Sequence, residues 1–297
     1  MQRTWLALAF FVAGCPGPDN GTAQPDLTAP SGDDMATATS GAPDLATPTA
    51  PNGGTMEVIG TPMSWSGGAS FYTGMVPTNS PQCTYTSVGA CTAAHCTIGT
   101  ADGGTTSAPY TLVSAGNVAV AVGSMAPIAF AVQPGNFYVA PGSNAQPLFS
   151  GGETLTFTTS GSVAPASTTT VQAPAPPTLT TPAQAPPYTL SRASDFAFAW
   201  TGGGPGVFTV SVQTNPGSIT PGTPFGSVRC NFAIANGSGV IPSAALSVLP
   251  TGSAMVSFGV SNQTVNVIGD WALAATAVTY PKTPAGQPIG GGQATIN

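Results

Sequence analysis

Apolar residues alternate with small or polar ones over several short runs of this chain, and this period of two restricts the fold more than any other feature. The runs at 118–122, 128–132, 196–200, 208–212 and 256–260 follow the pattern, with glycine or proline between them. Successive side chains of a β-strand point to opposite faces, so each run predicts a strand with one face in a core and the other in water. We therefore predict an all-β protein.

Few residues carry charge, and turn-forming residues are abundant. Charged residues make up 5% of the 297, against 38 glycines and 31 prolines, while hydrophobic residues reach 41%. Long surface helices need charged faces that this composition cannot supply, whereas short strands broken by glycine and proline fit it. The apolar fraction also argues against disorder over most of the length, because alternating apolar residues can be buried in a core.

A proline-rich segment divides the strand-forming part of the chain. Because residues 171–187 are rich in proline, we place a boundary there, between a β-sandwich module at 55–173 and a second at 174–297. In the second module the phrases TLTTP and DFAFAWTGG resemble the opening strands of bacterial extracellular immunoglobulin-like or fibronectin-III-like modules. That resemblance implies an antiparallel sandwich with a strand-borne tryptophan in its core. One short helix is predicted at 242–249, with a proline in its first turn.

The N-terminal segment has the pattern of a secretory signal. Arg3 precedes an apolar run that is too short for a permanent membrane-spanning helix. The ending Val12-Ala13-Gly14-Cys15 resembles the lipobox of bacterial lipoproteins. The resemblance implies removal of residues 1–14, lipid on Cys15 and anchoring in a bacterial cell envelope, at the outer membrane because Pro16 stands where an inner-membrane retention aspartate would be. The alternative is an ordinary signal peptide whose mature chain keeps Cys15 as a free thiol.

Residues 15–54 are predicted to form a disordered linker that begins at the lipid anchor. The segment is rich in Pro, Ala and Thr, lacks aromatic residues and repeats a loose Pro-Asp-Leu phrase within 25–30 and 43–51. Such a chain is part polyproline II and part coil, and its ends should average about 35 Å apart when it is flexible. We expect it to hold the folded part away from the membrane.

Three of the five cysteines lie close together, which raises a choice between a metal site and a disulfide staple. With the first cysteine lipidated, four remain in an oxidising compartment, which favours disulfides. A two-residue turn at Gly89-Ala90 sets Cys83 opposite Cys96 in a hairpin, where cross-strand side chains approach closely. Cys91 and Cys230 are then left to pair across the predicted boundary, with a buried free thiol at Cys230 as the alternative.

The alternative to disulfides is a zinc site formed by residues of the same segment, 83–96. Cys83, Cys91, Cys96 and His95 could supply four ligands. However, the CxxC spacing typical of structural zinc is missing, and the adjacent His95 and Cys96 would point to opposite faces of a strand. Type-1 copper needs two histidines, and the chain has one. We predict no metal and no cofactor.

The charge balance excludes nucleic acid as a partner. The chain carries four basic residues and a net charge of −6. Proteins that bind nucleic acid neutralise several phosphates with Lys and Arg, which this chain cannot do.

Residues able to catalyse hydrolysis are sparse. A Ser-His-Asp triad would have to use His95, and no GxSxG motif exists to place its serine. A glycosidase needs two carboxylates about 5–10 Å apart. The predicted modules contain five carboxylates, which are Glu57, Asp102, Glu153, Asp195 and Asp270. We predict that the protein is not an enzyme, with an atypical secreted hydrolase as an alternative.

Aromatic residues near Gly-rich segments are the candidate binding residues. The set comprises Trp65, Phe71, Tyr72, Phe137 and Tyr138. Exposed rings on a β-sandwich can stack on sugars, so we predict a surface interaction or adhesion module that binds a polysaccharide or an envelope protein. The alternative is that these rings complete a core, in which case the protein is a structural spacer without a ligand. Exposure of the rings discriminates between the two.

Overall fold

The computed structural model describes residues 52–74, 82–97, 111–143, 146–182, 186–214 and 224–297. The predicted signal segment, Cys15 and nearly all of the predicted linker lie outside these residues. The first strand begins at Asn52, three residues before the predicted start of the first module. The prediction of an all-β protein is confirmed.

Eleven strands lie before residue 174 in the described part of the chain. They are β1 Asn52–Gly60, β2 Trp65–Thr73, β3 Gln82–Val88, β4 Cys91–Thr97, β5 Thr111–Leu112, β6 Val118–Val122, β7 Ile128–Ala129, β8 Ala131–Gln133, β9 Phe137–Val139, β10 Thr154–Thr159 and β11 Ser167–Gln172.

The rest of the described chain adds nine strands and one short α-helix. The strands are β12 Thr178–Thr181, β13 Tyr188–Leu190, β14 Phe196–Thr201, β15 Val207–Thr214, β16 Pro224–Ala233, β17 Ser238–Ile241, β18 Gly252–Ile268, β19 Trp271–Thr279 and β20 Gly291–Ile296. The helix α1 spans Ser243–Leu246 with Pro242 as its N-cap, inside the range predicted for it.

One large sheet runs through the whole structure, in the order β3-β4-β16-β15-β18-β19-β1-β2-β9-β8. Strands β20 and β13 extend it from the first half of β18, and β5 pairs with the end of β2. Two smaller sheets, β11-β10-β6-β7 and β12-β14-β17, pack on the same side of it. The strand pairs of the described residues are antiparallel, as predicted, except for β1–β19 and β13–β20, which are parallel.

Two hydrophobic cores lie between these sheets. The first combines the inward residues of β6, β10 and β11 with those of β1, β2, β9 and β19. The second is built on aromatic rings: Trp200 stacks on Phe208 with 4.1 Å between ring centroids, and Phe198 lies against both. The indole N–H of Trp200 donates to the carbonyl oxygen of Ile234 at 2.8 Å, so its polar group is satisfied inside the core.

Each core includes strands from the other half of the sequence. The first core contains Trp271, Leu273, Ala275 and Ala277 of β19, and the second contains Cys91 and Ala93 of β4. The 17 residues of β18 connect them, because its first half pairs with β15 in the second core and its second half with β19. The division of the chain at residue 174 stays a prediction, and strand pairing crosses it in both directions.

The four folded-part cysteines form two disulfides, Cys83–Cys96 and Cys91–Cys230. The hairpin prediction is confirmed: Val88 lies opposite Cys91, and Cys83 opposite Cys96. The turn residue Gly89 has φ of 59°, the left-handed conformation that this turn requires. Cys230 faces Cys91 across the β4–β16 pair, with 4.0 Å between their Cα atoms. The sulfurs are therefore oxidised and do not offer thiolates to zinc.

Candidate functional site

Three of the five candidate aromatic residues belong to the first core. Trp65, Phe71 and Tyr138 are buried, and the rings of Phe71 and Tyr138 meet edge to face at 5.7 Å. The hydroxyl of Tyr138 accepts a hydrogen bond from the backbone N–H of Ala115 at 2.8 Å. For these three rings the structure shows the alternative weighed from the sequence, because the core takes up their faces.

The other two rings lie on the opposite side of the sheet, here called the outer face and defined by Thr55, Glu57, Ser70, Tyr72 and Phe137. Phe137 is 38% exposed and Tyr72 is half-buried. The register of β2 with β9 pairs Gly68 with Val139 and Ala69 with Tyr138. The pairing ends at Ala69, because β5 occupies the same edge of β2 from Phe71 onward and sets Leu112 opposite Tyr72.

Glycines keep the sheet beneath these rings bare. A Cβ added at Gly53 would lie 2.4 Å from the hydroxyl oxygen of Tyr72, so the Tyr72 side chain lies flat over this glycine. A Cβ added at Gly68 would meet only the carbonyl oxygen of Tyr138, at 3.3 Å, so the space above Gly68 is open. Tyr72 and Phe137 are thus the two candidate rings on the outer face, and together they are here called the Tyr72–Phe137 platform.

Hydroxyl groups stand beside the platform. The side-chain oxygens of Thr55 and Ser70 lie 3.3 Å apart across the β1–β2 pair, which is hydrogen-bonding distance. Together with Ser66, they give this part of the outer face neutral groups that can both donate and accept hydrogen bonds. The combination of ring faces and uncharged hydroxyls suits a neutral, hydroxyl-rich ligand.

The carboxylate of Glu57 lies on the outer face with the platform. Glu57 lies on β1 between Gly68 of β2 and Thr276 of β19. Burial raises the pKa of its carboxyl group above the usual value. Burial, together with the negative charge of Glu57, raises the pKa of the Tyr280 hydroxyl.

The other described carboxylates are held by structural contacts. Glu153 accepts backbone hydrogen bonds from Ser150 at 2.8 Å and Gly151 at 2.6 Å. Burial raises the pKa of Glu153, but backbone hydrogen bonds outweigh that effect and lower it.

Both described aspartates of the predicted set also have partners. Asp195 accepts a hydrogen bond from the backbone N–H of Ser243 at 2.7 Å, at the start of α1. Asp270 accepts one from the side-chain amide of Asn52 at 2.6 Å. Asp102 lies outside the described residues. The hydrolase alternative needs two carboxylates that meet, and Asp195 and Asp270 instead serve a helix start and a strand end.

His95 packs against the segment after α1. Its Nδ1 lies 3.2 Å from the carbonyl oxygen of Val248, on the face of β4 that it shares with Cys91. Within the described ranges, no three His, Cys, Asp or Glu residues group in a way that could hold a metal ion. His95 thus has a structural contact in place of the zinc role weighed from the sequence.

The comparisons with known proteins identify no family. No family model matches the chain, and no curated protein matches it. A solved structure that concerns the host cell surface retention of a 1.5-MDa bacterial ice-binding adhesin is 14% identical, covering 74% of this chain and 75% of its own, with a TM-score of 0.16. A TM-score this low carries no argument about fold or function.

No helix in the described part of the chain has the length and hydropathy needed to cross a membrane.

Proposed function

We propose that this protein is a lipid-anchored component of a bacterial cell envelope, and that its folded part is a surface interaction module that binds a polysaccharide. The observation that carries the binding proposal is the Tyr72–Phe137 platform, which places two rings on one face of the sheet beside Thr55 and Ser70. The neutral hydroxyl groups of Thr55 and Ser70 beside the rings favour an uncharged polymer as the ligand class.

The chemistry of a sugar ring matches this surface. One face of a pyranose presents C–H groups, which pack on the negative face of an aromatic ring, while its hydroxyls need hydrogen-bond partners. Phe137 and Tyr72 supply the ring faces, and Thr55 and Ser70 supply hydroxyls. Gly68 adds no side chain to this face, so it leaves room for a polymer beside the rings.

Replacing Phe137 by alanine is expected to weaken polysaccharide binding about tenfold, the usual cost of losing an aromatic anchor. The same change at Tyr72 is expected to act in the same direction. The measurement is isothermal titration of purified residues 52–297 with a panel of neutral and charged polysaccharides. Val132→Ala is the matched control, because Val132 is a 60% exposed apolar residue of the adjacent strand on the other side of the sheet.

If polysaccharide binding is unchanged by both ring substitutions, the ligand binds elsewhere and the platform is not the binding site. Binding lost equally in the Val132→Ala control would indicate that the hairpin as a whole, and not the ring, is what matters.

The structural spacer remains the second candidate function, and the burial of Trp65, Phe71 and Tyr138 favours it. A spacer needs only a stable fold held away from the membrane. It predicts no binding to any polysaccharide of the panel and no envelope protein retained by the purified module from solubilised membranes.

The lipid anchor is proposed from the lipobox pattern at Val12–Cys15, and the disulfides support an oxidising compartment such as the envelope. Cells that express the full chain are expected to incorporate radiolabelled palmitate into it, and Cys15→Ser is expected to abolish the label. Two or more acyl chains would keep the wild-type protein in the membrane fraction during carbonate washing. Equal labelling of wild type and Cys15→Ser would refute the anchor. Cys83→Ser is the control, because it removes a cysteine assigned to a disulfide.

A further inference from the structure

An exposed asparagine is followed by a glycine at Asn236-Gly237, where a short 3₁₀-helix, Ile234–Asn236, ends before β17. In such a pair the backbone nitrogen of the glycine can attack the side-chain carbonyl carbon of the asparagine, because glycine has no Cβ to hinder the approach. We propose that Asn236 is a site of spontaneous chemical modification, at which the side-chain amide is converted to a carboxylate and part of the product is isoaspartate.

The conversion uses water as its co-reactant. The nitrogen of Gly237 bonds to the side-chain carbonyl carbon of Asn236, its proton passes through solvent to the amide group, and that group leaves as ammonia. The product of this step is a five-membered succinimide ring. Water then opens the ring at either carbonyl, giving aspartate or isoaspartate, and in isoaspartate the main chain runs through the former side chain. Either product adds one negative charge to the protein.

The fold places a glycine after Asn236 and leaves the pair accessible. Gly237 ends the 3₁₀-helix with φ of 67°, a left-handed conformation that glycine adopts without strain. Its N–H donates to the carbonyl oxygen of Ile234 at 3.3 Å, longer than the usual distance of about 2.9–3.0 Å. A Cβ added at Gly237 would have one neighbour within 4 Å, the carbonyl oxygen of Trp200 at 3.5 Å. Within the described ranges, the side chain of Asn236 has no hydrogen-bond partner.

A second pair of the same sequence, Asn52-Gly53, is held by the structure and serves as an internal comparison. The side-chain amide of Asn52 donates to the carboxylate of Asp270 at 2.6 Å and accepts from the backbone N–H of Gly74 at 3.2 Å. Gly53 is buried in β1 between β2 and β19, and Tyr72 lies over it. Ring closure at Asn52 therefore needs local opening of the sheet, which costs free energy.

Modification at Asn236 would alter the support of the tryptophan in the second core. The backbone N–H of Trp200 donates to the carbonyl oxygen of Gly237, and its indole N–H donates to that of Ile234, both at 2.8 Å. Isoaspartate at the intervening position adds one carbon to the main chain between these two acceptors. The two carbonyl groups would then change their spacing, so we expect the packing of Trp200 to loosen as the protein ages.

The test incubates the purified full chain at mildly alkaline pH and follows the peptides that contain Asn52 and Asn236 by tandem mass spectrometry, which distinguishes aspartate from isoaspartate. We expect Asn236 to be converted at least about tenfold faster than Asn52, which equals about 1.4 kcal/mol of opening free energy. In urea, where both pairs are unfolded, the two rates should become similar. Gly237→Ala is expected to slow the conversion in urea as well, because the added methyl group hinders the attack whatever the fold.

Two results would overturn the proposed site. One is conversion of Asn236 no faster than that of Asn52 in the native protein, and the other is an unchanged rate in unfolded Gly237→Ala. Asn236→Gln tests the consequence for the core, because its longer side chain closes the ring far more slowly at the same net charge. The near-ultraviolet circular dichroism of the wild type should decline during ageing and that of Asn236→Gln should stay constant. Equal declines in the two proteins would refute the effect on Trp200.

Discussion

A fragment of residues 52–173, the whole of the predicted first module from its first strand, is expected not to fold by itself. The fragment lacks β19, which supplies Trp271, Leu273, Ala275 and Ala277 to the first core. It also leaves one edge of β1 unpaired over the nine residues that β19 covers. Removing four buried side chains from one core costs more than the whole stability of a typical domain, since a single Leu→Ala change already costs about 2–5 kcal/mol.

The measurement is thermal unfolding followed by near-ultraviolet circular dichroism, with residues 52–297 as the reference. We expect a cooperative transition for the reference and none for the fragment. The matched control adds the missing strand: residues 52–173 joined by a short Gly-Ser linker to 262–280. The ends to be joined are close, because the side-chain amide of Asn262 donates to the carbonyl oxygen of Gln172 at 3.1 Å.

Recovery of a cooperative transition in the joined chain would attribute the loss to β19 and not to truncation as such. If residues 52–173 alone melt cooperatively near the temperature of the reference, the first half is an independent domain and β19 is only an accessory strand.

Removing the Cys91–Cys230 disulfide is expected to lower the free energy of unfolding by about 5 kcal/mol, against about 3 kcal/mol for Cys83–Cys96. The difference follows from loop length, because the first bond closes a separation of 139 residues and the second one of 13. A cross-link restricts the unfolded chain more when it closes a longer loop. The first bond also cross-links the β3–β4 hairpin to β16 of the other half, in addition to the strand pairing between β4 and β16.

The comparison uses two double alanine variants, one for each bond, unfolded in urea. The variant lacking Cys83–Cys96 is the matched control, because it also loses two sulfurs from β4 and its partner strand. Equal losses in the two variants, or a larger loss for the short loop, would show that loop closure is not the dominant effect. The wild-type protein should first have both disulfides reduced in the absence of denaturant and then be unfolded in urea. Its free energy of unfolding should be lower by the sum of the losses measured for the two variants.

The period of two in the sequence was enough to predict several strands and their inward faces. It was wrong for the run at 128–132, which divides into β7 and β8 and leaves Val132 60% exposed. Val118, Val120 and Val122 all point into the first core, as their alternation indicated. The cysteine hairpin was also predictable, because a two-residue turn fixes which residues lie opposite each other on its strands. Local rules of this kind act over a few residues and leave their pattern in the sequence.

Four of the five candidate aromatic residues occur in two adjacent pairs, and adjacency limits how many of them can face outward. In a strand, neighbours point to opposite faces, so one ring of Phe71-Tyr72 and one of Phe137-Tyr138 had to face outward. The sequence did not show which ring of each pair faces the core. That follows from the structure, where Phe71 and Tyr138 are buried with Ala69 and Ala140.

The exchange of strands between the two halves could not be predicted in this way. The pairing of β1 with β19 joins Asn52 to Trp271 and Gly60 to Thr279. The sequence of neither strand identifies its pairing partner, because both are short runs with one apolar face that could pack with many other strands. Glu57 lies between Gly68 and Thr276 because of the same pairing of distant strands. That position could not be inferred from the sequence.

The parallel pairing of β1 with β19 also has a consequence for the time order of folding. A ribosome completes Asn52 more than two hundred residues before Trp271, so the edge of β1 that does not pair with β2 waits for its partner while most of the chain is made. Contacts of such sequence separation form slowly, and unpaired strands left exposed meanwhile are prone to aggregate. Chaperones that keep this chain unfolded until its C-terminal strands emerge would therefore raise the yield of native protein.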